Sequence, residues 1–314
     1  MKKVAIKSWE GMNVEIVTLG GSLKSIIPSF TNKNMVLSYK KFAEYKTNDI
    51  YSGSIIGRFA NRIENSSFEI DGIKYCLDSN LGKHHLHGGS KGFSKINWSI
   101  YRLVENSLTL YHKSKDSDMG YPGNLDVFIK YTLIGNKLII NFDAVSDKDT
   151  FINLSIHPYF NLNGFGNILN HKLKIDSDFV TFLNNEMISE EIPVSVANTI
   201  YDFRSFRELN FFLTSDHPQL RICNGLDNNF CSRGDFLSGE LSNDDILMKF
   251  KTDMPGFQFY TGNYLNYHGF EKFGGIAIEP QFYLNAPNNR YRNSVLLKKG
   301  ELYSHFTEFE FEKV

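Results

Sequence analysis

Residues 125–144 read LDVFIKYTLIGNKLIINFDA, and in this stretch apolar side chains recur at every second position. The first run extends from Leu125 to Leu133 and the second from Leu138 to Ala144, with Gly135 and Asn136 between them. Alternation with a period of two is typical of a β-strand with one buried face. A glycine–asparagine pair between two such runs favours a tight turn. The stretch therefore predicts an antiparallel β-hairpin.

The same alternation recurs on both sides of this hairpin. It is seen in residues 14–17, 68–77, 98–110, 246–250 and 308–312, and Asp71–Gly72 predicts a second hairpin turn. Short helices are expected only within residues 40–49 and 202–213. No proline- or serine-rich linker and no internal repeat divides the chain. We therefore predict an all-β fold, a large antiparallel β-sandwich, with residues 1–314 forming a single domain.

Composition excludes several classes of protein. Of 314 residues, 41% are hydrophobic and 22% charged, which suits a globular protein with a large core. The formal net charge of −1 gives no basic surface for nucleic acid, and no apolar run is long enough to span a membrane. Three cysteines without metal-ligand spacing favour free buried thiols in a reducing compartment. With no apolar stretch after the basic N-terminus, we predict a cytoplasmic protein.

A carboxylate stands in an apolar strand near the C-terminus. Residues 274–282 read GGIAIEPQF, and alternation places Ala277, Glu279 and Gln281 on one face. Pro280 cannot donate to a strand ladder, so regular pairing is expected to stop there. A buried carboxylate is costly unless it is paired or used. Taken alone, Glu279 is explained by a structural salt bridge as well as by acid–base catalysis.

Two further apolar stretches contain isolated polar residues. Residues 57–63 read GRFANRI, and the arginine forks of Arg58 and Arg62 suit a ligand rich in oxygen, although ion pairing would also explain them. His157 lies among large apolar residues, and Pro158 restricts its backbone to extended conformations. A histidine held in this way is either a structural core residue or a positioned acid or base.

Residues 84–89 read HHLHGG, and the histidines raise the question of a metal. In an extended segment His85 and His87 would share one face, but no cysteine or carboxylate lies nearby at ligand spacing. We therefore predict a polar binding loop rather than a metal site, in which His84 and His85 can be solvated. Asp227 falls in a predicted polar loop, residues 224–230, as a turn residue or a second functional carboxylate.

Six motifs occur in a fixed order along the chain: GRFANRI at 57–63, LHGG at 86–89, GYPGN at 120–124, HPYFNL at 157–162, PGFQFYTGN at 255–263 and IEPQ at 278–281. Their order and spacing resemble the aldose 1-epimerase (galactose mutarotase) family over nearly the whole chain. The resemblance implies the large β-sandwich of that family. It also implies interconversion of the α and β anomers of a free aldose such as galactose, without a metal or a cofactor.

The resemblance also assigns roles to residues. It implies that Glu279 is the general base and His157 the general acid. The residues that it places around the sugar hydroxyls are Arg62, His87, Asp227 and Gln258, with Asn61 and Tyr159 nearby. Four positions depart from the family's usual pattern, and we expect them to shape the pocket and the sugar preference: Ile156, Pro158, Asn228 and Pro280.

The reaction explains why these residue types are needed. Opening a cyclic hemiacetal removes a proton from the anomeric hydroxyl and adds one to the ring oxygen, which a carboxylate and an imidazole on opposite sides of the ring can do. Two alternatives remain: a glycoside hydrolase that uses Asp227 and Glu279, and a carbohydrate-binding sensor without activity. The predicted ligand is a monosaccharide, a hexose or else a pentose, and the predicted assembly is a monomer or homodimer.

Overall fold

The computed structural model describes residues 1–189, 192–232, 234–266 and 269–314, and most regular structure is β-strand. The strands are β1 Lys3–Lys7, β2 Asn13–Val17, β3 Ser22–Ile27, β4 Ile55–Ile56, β5 Arg62–Ile63, β6 Ser67–Ile70, β7 Ile73–Cys76, β8 His85–Leu86, β9 Ser99–Val104, β10 Ser107–Ser114, β11 Leu125–Ile134, β12 Lys137–Ser146, β13 Thr150–Phe151, β14 Ser155–Ile156, β15 Tyr159–Phe160, β16 Lys172–Ile175, β17 Phe179–Val180, β18 Val194–Ser195, β19 Arg207–Glu208, β20 Asp227–Cys231, β21 Leu237–Ser242, β22 Ile246–Thr252, β23 Gly256–Tyr260, β24 Ile276–Gln281, β25 Leu296–Leu297 and β26 Leu302–Lys313.

Helices are short. The α-helices are α1 Leu209–Leu213, α2 Pro218–Cys223 and α3 Arg292–Val295, and the 3₁₀ helices are Phe42–Lys46, Glu64–Ser66, Phe93–Lys95, Asp118–Gly120 and Ala286–Asn288. The helices predicted within residues 40–49 and 202–213 correspond to Phe42–Lys46 and α1. In the described part of the chain, every helix is too short or too polar to cross a membrane.

Two large antiparallel sheets pack face to face. The first has the order β19-β16-β21-β22-β26-β12-β11-β10-β9 and the second the order β15-β24-β23-β20-β17-β18. Phe250 of β22 contacts Phe257 and Phe259 of β23 across the interface, with ring centroids 5.3 and 5.7 Å apart. Each fully buried side chain of this size contributes about 1.5–3 kcal/mol of transfer free energy. The predicted antiparallel β-sandwich is confirmed.

Both predicted hairpins form. β11 and β12 pair over their whole length, and Leu133 lies opposite Leu138 beside the Gly135 turn, where φ is +60°. The inward side chains, such as Ile140, are fully buried, so a charged residue there would break the hairpin's packing. In the smaller hairpin, β6 and β7 are joined by Asp71 and Gly72, both with positive φ, as a type I′ turn requires.

Four details differ from the sequence predictions. Strand β24 pairs with β23 through Pro280 to Gln281, so the prediction that pairing stops at Pro280 is wrong. Helix α2 was not predicted because six residues are too few to show a helical period, although Pro218 at its start and the His217 side chain, which accepts from the Gln219 N–H, are start signals. Asp227 begins strand β20 instead of lying in a loop, because residues 227–231 pair with β23. Cys223 and Cys231 are buried as expected, whereas Cys76 is exposed.

The register of the second sheet brings polar residues together. Gln258 lies opposite Glu279, and in the next row Tyr260 lies between Asp227 and Ala277. Because side chains alternate along a strand, Phe259 and the other apolar partners point to the first sheet, and this polar set points away from it. The sequence pattern of β20, β23 and β24 thus builds a polar floor on the outer face of the second sheet.

Candidate active site

A cavity of about 170 Å³ lies over this polar floor. Its lining residues are Asp49, Ile50, Tyr51, Asn61, Arg62, Leu86, His87, His157, Tyr159, Met187, Asp227, Tyr260, Tyr264, Leu265 and Glu279. Seven of the eight predicted site residues are in this set. The eighth, Gln258, donates from Nε2 to Asp227 Oδ1 at 2.6 Å. The structure therefore brings all eight predicted residues together.

Glu279 is almost fully buried in β24, at 2% exposure. Its Oε1 lies 3.5 Å from His157 Nε2, and its Oε2 has no hydrogen-bond partner among the described residues. Burial raises the pKa of Glu279 well above its ordinary value, and the charge of Asp227 adds to this while Arg62 opposes it. Burial therefore favours the neutral carboxylic acid over the carboxylate at Glu279.

His157 is fixed by its backbone between β14 and β15. Its N–H donates to the Ser54 carbonyl and its carbonyl accepts from the Gly53 N–H, both at 2.9 Å. The ring packs against Tyr159, with centroids 4.8 Å apart, and Nδ1 has no hydrogen-bond partner in the described chain. Burial lowers the pKa of His157 to about 4. His157 and Glu279 are thus adjacent side chains in the lining of the cavity.

His87 turns out of strand β8 because its own φ is +52°. The backbone N–H of Asn61 donates to His87 Nδ1 at 3.1 Å. In a neutral imidazole the proton must then sit on Nε2, which makes that nitrogen a donor. Burial, with charge from His157 and Arg62, lowers the pKa of His87 well below its ordinary value, so the ring is neutral. The prediction that His85 and His87 share one face is wrong, because the left-handed residue separates them.

Arg62 and Asp227 form the other end of the cavity. Arg62 Nη2 lies 3.9 Å from Asp227 Oδ2, and Arg62 Nη1 donates to Asn61 Oδ1 at 3.2 Å. Burial raises the pKa of Asp227, while Arg62 and Gln258 act in the opposite direction. Arg62 Nε and Gln258 Oε1 are buried and without partners in the described residues. The Arg62 end of the cavity therefore presents a guanidinium and a carboxyl group, since Arg62 and Asp227 both line it.

The other arginine and histidines of these motifs lie outside the cavity. The Arg58 guanidinium is buried and donates five hydrogen bonds to the segment from Ser114 to Gly123. His85 Nδ1 donates to the Asp78 carbonyl at 2.7 Å, and its Nε2 accepts from the Tyr121 hydroxyl at 2.8 Å. His84 and His85 are both buried, so neither is solvated. These side chains hold the fold together beside the site.

One group of side chains has the composition of a metal site. The ligating atoms of His87, His157 and Glu279 all lie within 4.8 Å of one another, and two imidazoles with a carboxylate can hold a divalent ion. However, His87 Nδ1 already accepts from the Asn61 N–H, so Nε2 carries the proton and lacks a lone pair for a metal. This set fits hydrogen bonding to hydroxyl groups better than ligation.

The residues that line the cavity also differ from those expected from the sequence. Ile156, Pro158, Asn228 and Pro280 were expected to shape the pocket, but none lines it. Asn228 points to the opposite face, where its Nδ2 donates to the Thr181 carbonyl at 3.0 Å. Eight lining residues were not predicted as site residues, and two of them, Leu86 and Tyr260, lie in strands β8 and β23. The other six lie in irregular segments, where alternation gives no signal: Asp49, Ile50, Tyr51, Met187, Tyr264 and Leu265.

Comparisons with known proteins agree with this geometry. The family model described as aldose 1-epimerase matches residues 2–310. The galactose mutarotase of Bos taurus is 36% identical over 292 residues, which cover 88% of this chain and 84% of that protein. The aldose 1-epimerase of Haemophilus influenzae is 34% identical over 332 residues, covering 98% and 95%.

Solved structures of aldose epimerases are also similar to this chain. A galactose 1-epimerase from Lactobacillus acidophilus superposes with a TM-score of 0.92 at 26% identity, covering 99% of this chain and 94% of that one. An aldose epimerase homologue from C. elegans also gives 0.92 at 26% identity, covering 100% and 99%. The chain belongs to the aldose 1-epimerase family.

Proposed function

We propose that the protein interconverts the α and β anomers of a free aldose, with Glu279 as the base and His157 as the acid. The observation that carries this assignment is the buried pair itself, with Oε1 and Nε2 3.5 Å apart at one wall of the cavity. The anomeric oxygen and the ring oxygen of a pyranose are both bonded to C1. Two adjacent groups can therefore reach both oxygens from one edge of the sugar.

In the ring-opening step, Glu279 accepts the proton of the anomeric hydroxyl while the bond between C1 and the ring oxygen breaks. His157 gives a proton to the ring oxygen, which becomes a hydroxyl, and C1 becomes an aldehyde carbon. Rotation about the bond between C1 and C2 presents the other face of the carbonyl, and the reverse transfers close the ring. Each positioned acid or base contributes about a hundredfold to ten-thousandfold.

The reaction requires that Glu279 Oε1 and His157 Nε2 share one proton between them. Burial favours the neutral forms, a carboxylic acid at Glu279 and a neutral imidazole at His157. The ionic form that starts the reaction has the same proton count and differs by one transfer between Oε1 and Nε2. Because these atoms are close, the enzyme can form the acid and the base without exchanging a proton with solvent. Microscopic reversibility lets the same pair serve both directions.

The remaining polar groups suit an uncharged sugar. Arg62, Asp227, Gln258 and the neutral His87 together offer donors and acceptors to ring hydroxyls. Among the described lining residues, Arg62 is the one permanent cation, and three residues carry carboxyl groups: Asp49, Asp227 and Glu279. Because Arg62 already faces Asp227 at 3.9 Å, a phosphorylated sugar or a uronate would enter without an unpaired cation to balance its charge. We infer that the substrate is a neutral aldose.

The two alternatives are less well supported. A glycoside hydrolase would use Asp227 as one of its two carboxyl groups, but Asp227 is engaged by Gln258 at 2.6 Å and faces Arg62. A sensor without activity has no need of an acid–base pair that leaves Glu279 Oε2 and His157 Nδ1 without partners.

The test is the rate of anomer interconversion from pure α-galactose and α-glucose, followed by polarimetry at several pH values. We expect enzyme-dependent loss of optical rotation. Activity should fall when a second proton is added to the pair, and because the pKa of His157 is lowered, this acid limb should lie well below 6.5, near 4. No acceleration over the buffer rate with either sugar, alongside normal sugar binding, would support the sensor instead.

A further inference from the structure

A short loop, residues 183–189, is built to keep its shape beside the cavity. Leu183 and Ser189 form an antiparallel bridge. Inside it, the Asn184 side chain accepts from the N–H groups of Glu186 and Ile188 at 2.9 and 3.1 Å. The loop is therefore closed on itself by both backbone and side-chain hydrogen bonds.

The loop is anchored on two sides. The Leu183 backbone exchanges two hydrogen bonds with the Gln219 side chain of α2, both at 2.8 Å. On the outer side, Glu186 pairs with Lys83 at 2.7 Å and with His84 at 3.6 Å. Such exposed pairs contribute little stability, but they fix the loop against the segment that leads to His87. The loop thus bridges α2 and the β8 side of the cavity.

Met187 is the loop residue that faces the cavity. Its φ of +58° turns it inward from the tip, and it packs on an apolar cluster of Leu183, Cys223 and Leu284. Its Sδ lies 3.6 Å from Arg62 Nη2. A thioether sulfur is a weak acceptor, so it does not compete with a hydroxyl for the arginine. At the same time its apolar methyl and methylene groups offer no partner to a polar extension of the ligand.

We propose that Met187 is a specificity-determining residue that closes the Arg62 end of the cavity. It restricts the enzyme to aldoses whose hydroxyl at that end carries no substituent. Because Met187 Sδ is 3.6 Å from Arg62 Nη2, a hydroxyl bound by Arg62 and Asp227 would lie next to the thioether, and a second sugar ring on that oxygen would compete for the volume of the Met187 side chain. This inference rests on the proposed function, since it concerns the substrate of the same site.

Reducing disaccharides test the inference, because their reducing glucose unit can still interconvert. The panel is glucose and three glucosyl-glucoses linked through O3, O4 or O6 of the reducing unit. NMR magnetisation exchange between the anomeric protons gives kcat/KM for each sugar at equilibrium. We expect the wild-type protein to discriminate against at least one linkage by tenfold or more, and Met187→Ala to remove most of that discrimination. Met187→Leu, which keeps the volume, should retain it.

Equal ratios of disaccharide to glucose activity in wild type and Met187→Ala would overturn the inference. Equal use of glucose and all three disaccharides by the wild type would also overturn it. A binding titration with the same four sugars provides a second readout that does not depend on turnover. If the wild type fails to interconvert glucose and galactose, the proposed function fails, and the titrations still decide whether Met187 excludes the disaccharide. Thermal unfolding of both variants shows that they are folded.

Discussion

Two arginines and two histidines that are close neighbours in sequence have different roles in the structure: Arg58 and His85 on one side, Arg62 and His87 on the other. Arg58 and His85 belong to a cluster in which every guanidinium and ring nitrogen has a partner within the chain. Arg62 and His87 belong to the cavity, where Arg62 Nε, like Oε2 of neighbouring Glu279, has none among the described residues. Burial separates the two regions only slightly, because Arg58 is 2% exposed and the Arg62 side chain 11%.

What distinguishes them is whether the polar atoms are satisfied. A buried donor or acceptor without a partner costs about 1–3 kcal/mol. Three residues that line the cavity, Arg62, His157 and Glu279, each have a buried polar atom without a partner among the described residues, and we propose that a bound sugar offsets this cost. In the Arg58 cluster the same residue types stabilise the fold. The comparison predicts that substitutions will separate into those that change turnover and those that change stability.

The largest effect is expected for the acid–base pair. His157→Asn keeps a polar side chain but removes the proton donor, so kcat should fall by about a hundredfold to ten-thousandfold. If the two transfers are concerted, combining it with Glu279→Gln should cost little more than either change alone. Rates from pure α-galactose for both single variants and the double variant provide the test. Fully multiplicative losses would contradict concerted transfer.

The next largest effect is expected at the sugar-binding end. Arg62→Ala and Asp227→Asn each leave a buried charged or hydrogen-bonding partner unpaired, and should weaken binding by roughly 2–4 kcal/mol, or about 30- to 700-fold in KM. The matched controls are Arg204→Ala and Asp245→Asn, whose side chains form exposed ion pairs. An unchanged KM in both cavity variants would show that these residues do not hold the sugar.

Substitutions in the Arg58 cluster should lower the stability of the protein. Arg58→Lys cannot reproduce five hydrogen bonds and leaves buried carbonyl groups unsatisfied, so we expect the free energy of unfolding to fall by about 2–4 kcal/mol. The kcat/KM of the folded protein should not change. For Arg62→Lys we expect the reverse: kcat/KM should fall, and the free energy of unfolding should not change. Urea unfolding gives the free energy of unfolding of the two variants, and steady-state kinetics give their kcat/KM. If both variants changed these two quantities in the same way, the distinction between the two regions would be wrong.

No effect is expected on removing metal ions. The Asn61 N–H fixes the His87 tautomer against ligation through Nε2, and the acid–base chemistry needs no Lewis acid. Dialysis against EDTA should leave the interconversion rate unchanged. If EDTA abolished activity and a divalent ion restored it, the group of His87, His157 and Glu279 would be a metal site after all.

The fold was largely predictable because strand alternation is a local property. The hairpins at residues 68–77 and 125–144 follow from alternation and turn residues, and both are confirmed. The partners of β26, by contrast, are β12 and β22, which are far away in sequence and are chosen by packing. No local signal carries that information. That residues 1–314 form one domain stays a prediction.

The site residues could be predicted only from the resemblance to the family. The family resemblance named eight residues, of which seven line the cavity and the eighth, Gln258, donates a hydrogen bond to Asp227. The residues alone could not separate Arg58 from Arg62, since both lie in one apolar stretch. Nor could they separate His85 from His87, because the difference depends on the positive φ of His87. Tyr51 and Met187 reach the cavity from turns with positive φ, which alternation does not predict.

The most direct test of the central claim is Glu279→Gln, measured for both turnover and binding. The substitution preserves size and hydrogen-bonding capacity and removes the base. We predict that the variant binds galactose and glucose in a titration, with affinity close to that of the wild type, while interconversion of their pure α anomers falls by at least about a hundredfold. A Glu279→Gln protein that interconverts the anomers at near the wild-type rate would contradict the assignment of Glu279 as the base.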